Sequence, residues 1–362
     1  MKTKKIRIIG AACVLALWLA LTVLALTAPQ KALSEAERRP LAQIPDFGLS
    51  ELWDGSFMKD FEKGAMDQFP LRDSFRKFKA LFHYYGLRQS DNNGVYLAEG
   101  HAAKLLYPMD KEAVALAIQR LDKIYEKYLK DTGSNIYAAV IPDKSCWLGD
   151  LALDYDAFFS AVEAGMPWAE HISLTDVLTV DDYYKTDIHW RQEALLPAAK
   201  KLAQAMGMTL EETFTETVLD RPFYGVYHGQ AALPMAAETM VLMESESTKN
   251  ATVYDHESGK TVSVYDLTKL ESKDLYDVFL SGSRSLLTIE NAKAKTEKEL
   301  IVFRDSFASS MIPLLLENYR TVTLVDIRYM SSEVLGNFID FHGQDVLFLY
   351  STTVLNTKGI LK

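Results

Sequence analysis

Cysteine is almost missing from this 362-residue chain, with Cys13 and Cys146 the only two. Cys13 lies inside an apolar run, so no internal disulfide is expected and the fold must be held by its core. Positive charge is in deficit too: 39 Lys and Arg stand against 49 Asp and Glu, a net charge of −10, which argues against nucleic acid as a partner. No P-loop and no Rossmann glycine fingerprint occurs, so a nucleotide cofactor has no support. Apart from His189, the histidines (His83, His101, His171, His228, His256 and His342) are scattered without the spacing of zinc ligands. Neither a cofactor nor a metal is expected. What is present is the composition of an ordinary globular protein, 48% hydrophobic and 11% aromatic, which excludes a disordered chain. The length fits one large domain or one domain with an insertion.

The amino terminus carries the strongest topological signal. Lys2, Lys4, Lys5 and Arg7 precede an uncharged apolar run from Ile8 to Ala28, about the ~20 residues that a helix needs to cross a bilayer. The positive-inside rule keeps the basic end in the cytoplasm and exports the chain beyond Pro29. Leu26-Thr27-Ala28 is a poor small-x-small cleavage site, so an uncleaved signal anchor over residues 1–28 is favoured over a cleaved signal peptide. The expected location is the cytoplasmic membrane, single-pass, with the rest of the chain outside the cytoplasm.

Residues 29–46 read as a linker, with Pro40, Pro45 and a charged cluster from Glu35 to Arg39. An α/β domain over 47–362 is expected after it. Asp110 is an N-cap for a helix over Lys111–Lys130, ahead of a buried strand Ile136–Ile141. Asp154–Gly165 reads as a helix, Ile172–Leu178 as extended, and Arg191–Met206 as a helix closed by Gly207. The carboxyl-terminal third alternates strand Leu300–Phe303, helix Phe307–Tyr319, strand Val322–Val325, helix Ser332–Phe341 and strand Val346–Leu349. Such alternation predicts a parallel sheet with helices on both faces. Residues 208–298 lack that rhythm and read as a β-rich insertion, with a hairpin of Thr252–Tyr254 and Val262–Tyr265.

Two segments can carry chemistry. Leu300-Ile301-Val302-Phe303-Arg304-Asp305-Ser306-Phe307 runs from a buried strand through a turn into a helix. That puts Ser306 at the carboxyl end of a parallel strand, where open α/β sheets hold their ligands, and at a helix start that favours developing negative charge. The bland reading is that Asp305 or Ser306 simply caps the helix. In Lys185-Thr186-Asp187-Ile188-His189-Trp190, Asp187 and His189 are two apart, so on an extended segment both project to one side. A serine needs such a base, and the base needs a carboxylate to fix its tautomer; a structural histidine beside a helix start is the competing reading.

Tyr183-Tyr184-Lys185-Thr186-Asp187-Ile188-His189-Trp190 resembles the signature of the bacterial DHHW protein family, which is related to the AlgX/AlgJ-type alginate O-acetyltransferases of the SGNH hydrolase-like superfamily. Further blocks resemble the family in order: Asp67-Gln68-Phe69-Pro70-Leu71-Arg72-Asp73, Asn93-Gly94-Val95-Tyr96-Leu97, Val140-Ile141-Pro142-Asp143-Lys144, Asp305-Ser306-Phe307 and Asp326-Ile327-Arg328-Tyr329. The resemblance implies an SGNH-like, flavodoxin-like sheet with Ser306 as nucleophile, His189 as base and Asp187 as orienting carboxylate. Ile188 stands where the signature has its first histidine. Arg304 stands where the family has glycine, a change that can narrow the site, bind an anionic substrate or mark loss of activity. Gly282 and Asn291 are candidates for the remaining oxyanion donors, and Asp305, Arg304, Lys144 and Arg328 for other contacts.

The implied function is O-acetyl transfer to a cell-surface or secreted polysaccharide, with a membrane-bound O-acyltransferase as acetyl donor. The alternatives are a carbohydrate esterase with the same triad and a non-catalytic glycan-binding or assembly protein.

Overall fold

The computed structural model describes residues 2–34, 36–149 and 152–362. Glu35, the first residue of the charged cluster, lies outside the described residues. The chain forms two compact units, Met1–Asn92 with His228–Pro234, and Asn93–Tyr227 with Met235–Lys362.

In the first unit, helix α1 (Lys2–Thr27) contains a stretch, Lys5–Ala25, long and apolar enough to cross a membrane. Three shorter helices come next, α2 (Leu49–Trp53), α3 (Ser56–Asp67) and α4 (Arg72–Leu81), the last continued by a π-turn over Phe82–Gly86. Paired charges tie them down. Asp67 takes both guanidinium nitrogens of Arg39, at 2.8 and 2.7 Å, and this pairing holds its carboxyl down at about 2. Glu37 pairs with Arg72 and Arg76. The Asp67–Asp73 block therefore works as an ion-paired turn.

The second unit is a mixed α/β domain built on one eight-stranded sheet. Its strands are β1 (Ile136–Ile141), β2 (Glu170–His171), β3 (Thr252–Asp255), β4 (Lys260–Ser263), β5 (Leu286–Glu290), β6 (Glu299–Arg304), β7 (Thr321–Val325) and β8 (Asp345–Ser351). Their spatial order is β4-β3-β5-β7-β6-β8-β1-β2, parallel from β7 to β2 and antiparallel from β4 to β7. The hairpin of β3 and β4 thus extends the parallel sheet through β5. Its strands end slightly short of Tyr265, and Gly259 closes the turn at φ +66°.

Period-two alternation supplies a core on each face. Ile301, Phe303, Val346 and Phe348 pack with Leu121 of α5 (Lys111–Ile124) and Phe158 of α6 (Tyr155–Gly165). Leu300, Val302, Leu347 and Leu349 pack with Leu202 of α7 (Leu196–Ala205) and with Leu314. Each fully buried side chain of this size contributes about 1.5–3 kcal/mol. Asp110 caps α5 by accepting from the Ala113 N–H at 2.9 Å.

Two expected helices keep their place with altered ends: Arg191–Met206 opens with a 3₁₀ turn, Gln192–Ala194, and Lys111–Lys130 ends in a π-turn, Tyr125–Leu129. Three further elements differ more. Phe307–Tyr319 is one α-turn, Ala308–Met311, continued by a 3₁₀ segment, Ile312–Asn318. Pro313 accounts for this, since it has no N–H to donate back to Ser309. In Ile172–Leu178 only Ile172 prolongs the pairing, donating to the Ala138 carbonyl, before a turn in which Val177 N–H bonds Leu174. Ser332–Phe341 is a 3₁₀ segment, Ser332–Asn337, which ends in the weak helix formers Gly336 and Asn337.

Candidate active site

All the parallel strands deliver their carboxyl ends to one edge of the sheet, and Ser306, His189 and Asp187 meet there. At the end of β6, Asp305 takes the turn's free donors: its carboxylate accepts from the Phe307 N–H at 3.0 Å and from the Ser351 N–H, at the end of β8, at 2.8 Å. Asp305 therefore closes the turn, which leaves the Ser306 hydroxyl for another partner. That partner is His189, whose Nε2 lies 2.8 Å from Ser306 Oγ. The helix after Ser306 is too short for a strong dipole. Among the described residues the Ser306 N–H has no acceptor, which leaves it available to an incoming oxygen.

The segment that holds His189 is a closed loop rather than an extended strand. Tyr183 pairs with Trp190 in an antiparallel bridge, and the Tyr184 N–H donates to the His189 carbonyl at 3.1 Å. Within the loop, Asp187 Oδ1 accepts from the His189 main-chain N–H at 3.0 Å and from Nδ1–H at 2.6 Å. With Nδ1 donating, Nε2 carries the lone pair that accepts the Ser306 proton. Asp187 Oδ2 accepts from the Val226 N–H at 2.7 Å. That bond requires the backbone at 225 to touch Asp187; any Cβ on Gly225 would overlap the Asp187 main chain.

A second layer fixes the loop. Glu238 accepts from the Lys185 N–H at 2.6 Å, the Thr186 N–H at 2.7 Å and the Thr186 hydroxyl at 2.5 Å. Lys144, 2% exposed, donates from Nζ to the Tyr184 carbonyl at 2.9 Å and the Lys185 carbonyl at 3.3 Å. Burial pushes its ammonium down to about 7, against the opposing pull of Asp187, Glu238 and Asp143. The imidazole lies flat on Tyr276, and the Tyr276 hydroxyl reaches Ser310 Oγ at 2.7 Å. Trp190 Nε1 donates to that same oxygen at 2.9 Å, so the histidine loop and the helix after Ser306 share one anchor.

The other candidate residues have different surroundings. Arg304 is 0% exposed, donating to Ser309 Oγ at 2.9 Å and the Arg284 carbonyl at 3.3 Å, with burial lowering its pKa and Asp326 opposing that shift. It is a strut inside the protein, closed to solvent. Arg328 is committed to Asp326 through two bonds of 2.9 and 2.6 Å. Gly282, φ +79°, lies in the turn before β5, at the Ser306 edge of the sheet, and packs against Asp277. Asn291 comes after β5 at the opposite edge, its amide donating to the Leu316 carbonyl at 2.8 Å. The structure does not bring Asn291 to Ser306.

Tyr276, Glu238, Gly225 and Val226 are not marked in the sequence. All four come from 208–298, where no periodicity or motif singles them out. Among the described residues no cluster of three or more metal-ligating side chains occurs.

No protein-family model and no curated protein matches the sequence. Solved structures do. A DHHW family protein from Eubacterium siraeum superposes with a TM-score of 0.57 at 19% identity, over 75% of this chain and 94% of that one. The chain has that protein's fold. Bacillus cereus PatB1, solved with a sulfonyl adduct, superposes with a TM-score of 0.59 at 16% identity, over 74% of this chain and 97% of its own. PatB1 without the adduct gives the same score over 98% of its length. The likeness to the DHHW family protein and to PatB1 is thus a likeness of fold.

Proposed function

We propose that the protein is an extracytoplasmic O-acetyltransferase that acetylates a cell-surface or secreted polysaccharide through Ser306, His189 and Asp187. One observation carries the reading: His189 bridges Asp187 at 2.6 Å and Ser306 at 2.8 Å, the contacts a nucleophile, base and orienting carboxylate need. The sequence resemblance to polysaccharide O-acetyltransferases and the shared fold support the substrate class. The apolar helix Lys2–Thr27 supports anchorage in the cytoplasmic membrane with the α/β domain outside.

In the first half-reaction Ser306 Oγ attacks the acetyl carbonyl while His189 Nε2 takes its proton. Asp187 stabilises the imidazolium and holds its orientation. The oxyanion forms beside the Ser306 N–H; a preorganised donor of this kind contributes on the order of 3 kcal/mol. His189 then protonates the leaving group, and acetyl-Ser306 remains. In the second half a sugar hydroxyl gives its proton to His189 and takes the acetyl group, restoring Ser306. The acetyl group is presented outside the cytoplasm by a membrane-bound O-acyltransferase.

The test supplies an activated acetyl ester and an oligosaccharide acceptor, and looks for acetylated sugar by mass spectrometry. Acetylated product formed by wild type and lost in Ser306→Ala is the expected result. Acetate released with no product from any acceptor supports the esterase alternative, and no ester turnover at all supports the non-catalytic one.

A further inference from the structure

Helix α4 is turned inside out. Phe75, Phe78, Phe82 and Tyr85 recur at intervals of three and four, which sets them in one stripe along the helix and its π-turn, with Leu71 at the cap that precedes it. In a soluble protein that stripe faces the core. Here all five are exposed, from 47% at Phe75 to 68% at Phe78, and Phe78 stacks on Phe82 in the open. The inward face carries the charges instead. Arg72 and Arg76 pair with Glu37, Arg76 Nη2 also donates to the Gly229 carbonyl at 2.9 Å, and Ala80 is wholly buried. Arginines held inward by ion pairs fix the helix rotation, so the aromatic stripe is built to face outward.

We infer that this stripe lies in a lipid bilayer surface, at the boundary of headgroups and acyl chains. This placement rests on the membrane anchorage proposed for α1. Helices α1 and α4 belong to the same compact unit, and only residues 28–48 separate α1 from the short helices, so the bilayer that holds α1 is a surface the stripe can reach. The chemistry fits that surface. Aromatic rings favour the interface, and Lys77, Lys79 and Arg88, all exposed, flank the stripe as interfacial helices carry their cations. Trp53, 94% exposed, and Phe47, 67% exposed, add to the same unit's open aromatic surface.

The full chain in nanodiscs of phosphatidylethanolamine and phosphatidylglycerol tests this, with photoreactive benzoylphenylalanine introduced singly at Leu17, Phe78 or Tyr254. Lipid adducts at positions 17 and 78 but not at 254 are expected. Adding Phe75→Ser and Phe82→Ser around position 78 should abolish the adduct there and leave the one at 17. A lipid adduct at 17 with none at 78, or a protein adduct at 78, overturns the inference while the anchor stands. No lipid adduct at 17 overturns the anchor itself.

Discussion

The Tyr276 ring lies flat against the His189 imidazole, with centroids 3.9 Å apart and planes 10° apart. Phe307 closes a further side at 4.9 Å, so His189 has its ring plane fixed by packing and its in-plane direction by Asp187. Tyr276→Ala should free that plane. A misplacement of the base by about 1 Å costs on the order of 10²-fold in turnover. The same change should also destabilise the domain by about 3–5 kcal/mol, as loss of a large buried aromatic does. Tyr276→Phe keeps the ring and loses only the bond to Ser310, so it should cost about 1 kcal/mol and retain most activity. Ester turnover beside urea unfolding of both variants checks the pair.

Asp187→Asn leaves the shape of the site but cannot hold the histidine tautomer or stabilise the imidazolium. Turnover should fall on the order of 10⁴-fold. Gly225→Ala should impair the same contact from the other side, because the new methyl group displaces the Asp187 main chain. Its signature is a fall in kcat with KM for a small ester little changed.

Much of this arrangement is visible in sequence, and the boundary of what is visible has a physical cause. The strands β1, β6, β7 and β8 are short apolar runs bounded by turn residues, and their alternation with helices defines the parallel part of the sheet. Asp187, His189 and Ser306 fall in compact motifs at the ends of such elements. The partners of β3, β4 and β5 are chosen by pairing across long stretches of chain, which local pattern does not encode. Tyr276 and Glu238 reach the loop from a region without periodicity. Arg304 misleads in a different way: its place beside the nucleophile offers it to an anionic substrate, whereas here it is fully buried between Arg284 and Ser309.

Arg304→Gly should accordingly act on stability and not on substrate. Removing the buried guanidinium leaves a void where it bonded Ser309 and the Arg284 carbonyl and should cost about 3–5 kcal/mol, the range for deleting a large buried side chain. No gain in ester turnover and no selective loss of affinity for anionic glycans is expected. A thermal shift and a panel of charged and neutral oligosaccharides distinguish these outcomes.

Lys144 gives the fold a pH dependence of definite sign. Its ammonium sits at about 7 in the folded protein against about 10.4 in the unfolded chain, so between these values the unfolded chain binds more protons. The cost of burying the charge is present in full below about pH 7 and is relieved as the pH rises toward the unfolded value. The urea midpoint of wild type should therefore climb from pH 7 to pH 10 relative to that of Lys144→Met. Parallel curves for the two proteins would contradict this.

As the nucleophile, Ser306 becomes covalently acetylated on its side-chain oxygen. The direct measurement mixes the purified full-length protein with an activated acetyl ester, quenches in acid within the first turnovers, and maps acetylated peptides by mass spectrometry. One acetyl group on Ser306 is expected, lost in Ser306→Ala and scarcely formed in His189→Ala, whose single effect should nearly equal that of the double variant. An unmodified Ser306 under conditions where acetate is released, or equal release by Ser306→Ala, would contradict it.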